Sequence, residues 1–148
     1  MKTHSIKSKD ITRKWYVLDA SEAPLGRVST VAARLLIGKG KPTVTSHMDG
    51  GDYVIIINSS SLIATGNKAS GKVYYRHSGF PGGITKKTLN QVKTDNPQNV
   101  IIHAIRGMLP DNKLRKARLA RLKVYIGSEH QHQGQNPEPV VVSKKDKN

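Results

Sequence analysis

Residues 112–123 read NKLRKARLARLK, with cations at Lys113, Arg115, Lys116, Arg118, Arg121 and Lys123 and no acid among them. All but Asn112 are good helix formers. The basic positions alternate with Leu114, Ala117, Leu119, Ala120 and Leu122 around most of the circumference. A solvated helix ordinarily offsets its cations with Asp or Glu three or four positions away. These cations are therefore expected to lack partners within the chain, and the chemistry they offer is contact with phosphates. A second cluster, VYYRHSGFPGGITKK at residues 73–87, is too glycine-rich for a helix and too basic for a core strand. In it Arg76, Lys86 and Lys87 supply charge, while Tyr74, Tyr75, His77 and Phe80 can stack on unpaired bases or ribose. Gly79, Gly82 and Gly83, beside Ser78, let the backbone approach another surface and turn its N–H groups outward, as phosphate-cradling loops do. Aromatic residues make up only 5% of the chain, so their clustering here favours a surface role. A strand ending in a glycine turn is the plainer reading, and its alternation would send one of Tyr74 and Tyr75 inward and the other outward.

Sharper chemical motifs are incomplete. GNKASGK at 66–72 has the spacing of a nucleotide-binding loop, but Val73 stands where a magnesium-holding Ser or Thr belongs, and strand-type residues follow where a helix should start. His130 and His132 are spaced like metal ligands without a third nearby, which leaves them solvated or touching RNA. Asp49 and Asp52 flank two glycines; paired carboxylates can do acid and base work, but a turn explains them more simply. His47, His77 and His103 are scattered, and no Ser, His and Asp set announces a nucleophile.

These clusters need a scaffold. Trp15–Ala20 and Tyr53–Asn58 are short apolar runs of strand type, and uniformly apolar strands imply a sheet covered on both faces. Between them Leu25, Val28, Val31, Ala32, Leu35 and Leu36 share a helix face, with Arg27, Thr30 and Arg34 opposite. Pro24 opens that helix and Gly38 closes it. GKGK at 38–41 then reads as a helix stop followed by two phosphate-seeking side chains, Lys39 and Lys41. Residues 62–65 and 72–76 are expected to be further strands. After a polar stretch rich in Thr and Asn, Pro97 starts a helix in which Val100, Ile101, Ala104, Ile105 and Met108 share a face, ended by Gly107 and Pro110. Residues 123–126 read as a last strand, and residues 129–148 as a polar tail with little to pack. Strand, helix, strand order predicts a three-layer α/β/α domain with a mostly parallel sheet of about four strands. The expected organisation is a basic leader at 1–14, one domain at 15–137 and a polar tail at 138–148.

The whole-chain balance agrees with the local signals. Against 25 Lys and Arg stand 10 Asp and Glu, a formal net charge of +15 over 148 residues. Such a charge opposes compaction, and a polyanionic partner relieves it. Nucleic acid is the leading candidate and an anionic membrane surface the second. The absence of cysteine excludes disulfides and Cys-ligated zinc and fits a reducing compartment. The N-terminal run has no apolar core, and no stretch approaches the roughly 20 apolar residues of a spanning helix; both point to a cytosolic protein with no membrane partner. Two alternatives remain: an enzyme acting on a nucleotide or RNA phosphate through GNKASGK and Asp52, and a DNA-coating protein. A helix-turn-helix reading of the 97–108 and 112–122 helices fails because the second helix lacks a Leu-free polar face for base edges.

In order along the chain, WYVLDA, PLGRVST, GGDYVIIIN, TGNK, KVYYRHSGFPGG, RGMLPDNKL and LKVYIGSEHQHQGQNP resemble the universal large-subunit ribosomal protein family thirteen in its bacterial form. The likeness runs from about Trp15 to Pro137, and HSGFPGG and GMLP are its most specific parts. It implies a three-layer α/β/α fold, binding of large-subunit ribosomal RNA early in assembly, contacts with neighbouring ribosomal proteins, no cofactor, no small-molecule substrate and no catalysis. Carried over by position, the family's characteristic residues are Lys72, Tyr74, His77, Ser78, Gly79, Pro81, Gly82 and Gly83, then Gly107, Met108, Leu109 and Pro110. The chain departs from the pattern at Phe80, where tyrosine is usual, at Gln131, where proline is usual, and at Arg115, where glycine is common. The RNA-contacting set expected from residues and resemblance together comprises Arg27, Arg34, Lys39, Lys41, Lys68, Lys72, Arg106, the named residues of the 73–87 segment, Lys113, Arg115, Lys116, Arg118, Arg121, His130 and His132.

Overall fold

The computed structural model describes residues 6–142; residues 1–5 of the expected leader and 143–148 of the expected tail lie outside them. Along the chain run β1 (Trp15–Asp19), α1 (Leu25–Ile37), β2 (Tyr53–Ile57), the single turn α2 (Lys68–Gly71), β3 (Val73–His77), β4 (Ile84–Thr88), α3 (Leu89–Asp95), α4 (Pro97–Met108), α5 (Leu114–Ala120), β5 (Leu122–Val124) and β6 (Glu138–Pro139). Strand order in the main sheet is β5-β2-β1-β6, every pairing parallel, and β3 and β4 form a separate antiparallel hairpin. A parallel four-stranded sheet flanked by helices is the three-layer α/β/α fold expected from the sequence.

Period-two alternation decides which side chains meet the helices. Leu18, Val54 and Ile56 point to one face and join Val28, Ala32 and Leu36 of α1 with Val100, Ile101 and Ile105 of α4 in a fully buried core. Each of the Leu, Ile and Val side chains among them contributes roughly 1.5–3 kcal/mol by leaving water. The opposite face carries Trp15 and Tyr53, which are register partners with rings stacked at 4.2 Å and 6°. The segment joining β5 to β6 meets this face through His132, 4.9 Å from Trp15.

Local signals account for the ends of the helices. Pro24 precedes α1, and Gly38 closes it in the left-handed conformation, its N–H bonded to the carbonyls of Arg34 and Leu35. Pro97 stands at the first position of α4. The polar stretch before it proves to be α3, opened by a reciprocal capping box between Thr88 and Gln91. Residues 62–65 form only an isolated bridge, Ile63 to Pro24. The chain after 137 packs more than its polarity suggests: Glu138 and Pro139 pair with Tyr16 and Val17, and Val142 is buried in the core. The reason is local, because residues 140–142 are three valines inside a polar stretch.

Candidate nucleic-acid interface

The 73–87 segment is a hairpin, so its residues divide by face. Tyr74 pairs with Lys87 and Arg76 with Thr85, while Tyr75 pairs with Lys86 and His77 with Ile84. The first group faces α3 and α4; Tyr74 is half-buried there, its ring 5.1 Å edge-on from His103. Burial pushes the Tyr74 hydroxyl pKa up. The second group faces solvent, with Tyr75 67% exposed and Lys86 5.7 Å from its ring centroid, a cation–π distance. Phe80 at the tip is 74% exposed.

At the tip, structure corrects one expectation. Four backbone N–H groups are used within the turn and not turned outward as a phosphate cradle: Gly79 donates to His77 Nδ1 at 2.9 Å, Phe80 to Ser78 Oγ, Gly83 to the Phe80 carbonyl and Ser78 to the Gly83 carbonyl. Glycine is needed for the turn itself. Gly79 and Gly82 have φ of 91° and 73°, and a Cβ on Gly83 would sit 1.9 Å from Ser78 Oγ. What the tip presents outward is the aromatic ring of Phe80.

The basic helix also departs from expectation, because its cations do not share one role. Lys113 and Lys116 are exposed, but Arg118 is only 3% exposed and Arg121 is buried. Arg121 grips Asp49 through both carboxylate oxygens and donates to the Leu36 and Asp52 carbonyls. Arg118 Nε lies 3.6 Å from Asp49 Oδ1. Burial alone would push the Asp49 pKa up, but the hydrogen bonds and charges of Arg121, the charge of Arg118 and the Gly51 N–H outweigh it and hold the carboxyl below its ordinary value. Arg115 pairs with Asp111 at 2.8 Å and donates to the Leu109 and Pro110 carbonyls. The expectation that these cations lack partners within the chain is overturned for Arg115, Arg118 and Arg121. Asp49 reaches Arg118 and Arg121 from far along the chain, where a helical spacing rule does not look, whereas Asp111 stands four positions before Arg115, just ahead of the basic run and within that rule's reach.

Lys41 is corrected in the same way. Its ammonium bonds Asp52 Oδ1 at 2.6 Å and the carbonyls of Thr12 and Gly50. Asp52, nearly fully buried, also accepts from the Lys14 N–H at 2.8 Å. Gly51 must be glycine, since a Cβ would fall 1.8 Å from the Leu36 carbonyl oxygen. Asp49 and Asp52 thus serve as counter-ions that fasten the 39–52 loop to α1 and α5. Asp52 is not available to a nucleotide phosphate, and Val73 begins a strand where GNKASGK would need a helix.

Other cations face outward. Arg34, Lys39, Lys68, Lys72, Arg76 and Arg106 are exposed, and Arg27 is half-buried on α1. Lys72 lies 5.4 Å from the Tyr74 ring centroid, and Lys87 pairs with Asp95 at 2.6 Å on the surface. His130 and His132 are half-buried against Tyr125 and Trp15, packed onto the sheet instead of solvated. Among the described residues no group of acids and histidines could hold a metal ion, and no helix is long and apolar enough to cross a membrane.

Residues 13–131 match the family described as ribosomal protein L13. Similar proteins include the large ribosomal subunit protein uL13 of Saccharopolyspora erythraea, 47% identical over 145 residues and covering 98% of each chain. That of Oleidesulfovibrio alaskensis is 49% identical over 138 residues, 93% of this chain and 96% of its own. That of Thermotoga maritima is 48% identical over 139 residues, 94% and 93%. The chain belongs to the ribosomal protein L13 family. The matched L13 region contains both basic elements and the Asp49 and Asp52 counter-ions, while β6 and Val142 lie beyond it. Sequence reasoning missed the counter-ion role of Asp49 and Asp52. The available signal was their placement on either side of Gly50 and Gly51 in a chain where acids are scarce.

Proposed function

We propose that the chain is a structural constituent of the large ribosomal subunit, cytoplasmic with the ribosome, bound to large-subunit rRNA and neighbouring ribosomal proteins and carrying out no reaction of its own. The observation that carries this reading is the near full-length relationship to proteins named as large ribosomal subunit proteins. The RNA-facing surface consists of the exposed hairpin, with Tyr75, His77, Phe80 and Lys86, and the outward cations Lys113 and Lys116 of the α5 region. Arg34, Lys39, Lys68, Lys72, Arg76 and Arg106 extend it. Arg118, Arg121 and Lys41 are excluded because their charges are already met inside the protein.

The mechanism is electrostatic first and aromatic second. Each phosphate neutralised by a lysine or arginine releases counterions, so affinity falls as salt rises. Exposed rings add stacking on unpaired bases, roughly 1–3 kcal/mol per base. The test is sedimentation: the protein should travel with large subunits at low salt and leave them at high salt. Protein that stays at the top of the gradient in low salt would contradict the reading. The lysine-to-glutamate pair at Lys113 and Lys116 should lower affinity for stripped large-subunit rRNA in a filter assay while leaving the melting temperature nearly unchanged.

A further inference from the structure

Between the inner face of the β3–β4 hairpin and helices α3 and α4 lies a cleft of about 650 Å3, a size that takes small organic ligands. Tyr74, Arg76 and Lys87 line it from the hairpin, Val92 from α3, and Asn96 and Asn99 from the start of α4. A second hollow of about 560 Å3 shares Tyr74, Arg76, Val92 and Asn99 with the first and runs on to Lys72. Three chemistries meet there. Tyr74 and Val92 are half-buried and give an apolar wall. Asn96 and Asn99 are exposed, and among the described residues their side-chain amides make no hydrogen bond. Lys72 and Arg76 place an exposed cation on either side of Tyr74, while Lys87 is held by Asp95.

A simple polyanion would use the cations and leave the apolar wall and amides idle. An apolar peptide side chain would leave the cations idle. A flat ring with a hydrogen-bonding edge and a phosphate on each side uses all three. We infer that this cleft receives one unstacked nucleotide of the bound RNA, its base against Tyr74 and Val92, its edge toward Asn96 and Asn99, and its flanking phosphates at Lys72 and Arg76. Proteins that read RNA sequence ordinarily do so on such splayed-out bases. Amide side chains pair best with the N6 and N7 edge of adenine, so adenine is the preferred base. This inference rests on the RNA-binding reading above and adds a site and a ligand class to it.

Two measurements test it. In the first, the 15N-labelled full chain is titrated with AMP, UMP and ribose 5-phosphate. Saturable shifts at the Asn96 and Asn99 side-chain amides are expected, several-fold tighter for AMP than for UMP and absent with ribose 5-phosphate. Equal shifts with ribose 5-phosphate would make this a plain anion site, and an unmoved cleft with AMP would equally overturn the inference. In the second, Asn99→Leu, at an exposed position, is compared with the parent for binding to stripped large-subunit rRNA. Affinity should fall about tenfold, as expected when one base is no longer held, with the melting temperature and the salt slope unchanged because every phosphate keeps its cation. Parental affinity in the variant overturns the nucleotide site and leaves the wider reading standing. A parent that shows no salt-dependent rRNA binding overturns the wider reading instead.

Discussion

Asp49 shows how one side chain sorts the charge of this molecule. Its carboxylate answers Arg121 through both oxygens and stands 3.6 Å from Arg118, all three largely out of water. Removing one member of such a buried pair leaves an unmet charge, which typically costs about 3–5 kcal/mol. Asp49→Asn should therefore lower stability by about that amount in urea denaturation, whereas Lys113→Ala and Lys116→Ala should each change it by less than about 0.5 kcal/mol. The pH dependence has a defined sign. Because folding holds the Asp49 pKa below its ordinary value of 3.8, its contribution is complete above the unfolded value and is lost as pH falls through the lower, folded value. Between about pH 5 and pH 2, the Asp49→Asn variant should show a shallower acid decline than the parent. An equally steep decline would assign the acid sensitivity to other carboxylates.

The elements explain why parts of this scheme could be read in advance and parts could not. Both long helices were legible because their ends and faces are encoded within a few residues: Pro24 and Gly38 bound α1, and Pro97 opens α4. The hairpin was half-legible. Strand alternation placed one of Tyr74 and Tyr75 inward and the other outward without saying which, and β4 was missed because Ile84–Thr88 has one large apolar residue and its pairing comes from the turn it shares with β3. Helix α3 was hidden because its stability begins at a cap and not at an apolar stripe. Thr88→Ala should cost about 1 kcal/mol in thermal unfolding, and an unchanged melting temperature would mean the box contributes nothing. The roles of Arg118 and Arg121 were illegible for a different reason. A helical spacing rule tests for acids nearby in sequence, and Asp49 reaches Arg121 across 72 positions.

Across the whole molecule, the +15 charge is divided between structure and surface. Lys41, Arg118 and Arg121 fasten the 39–52 loop, while Lys113 and Lys116 face outward and belong to the surface we propose for RNA. The fold also extends past the apparent end of the domain, since β6 and Val142 complete the sheet edge and core. Val142→Ala should lower stability by about 1.5 kcal/mol, near 0.8 for each buried carbon removed, as read from the urea midpoint. The division of charge is tested most directly by measuring rRNA affinity across a salt series for the parent and for the Lys113→Ala, Lys116→Ala double variant. The slope of log affinity against log salt should flatten by about 0.7–0.9 for each phosphate left without its lysine, with folding stability unchanged. A variant with the parent's affinity and slope would contradict the assignment of these outward lysines to RNA.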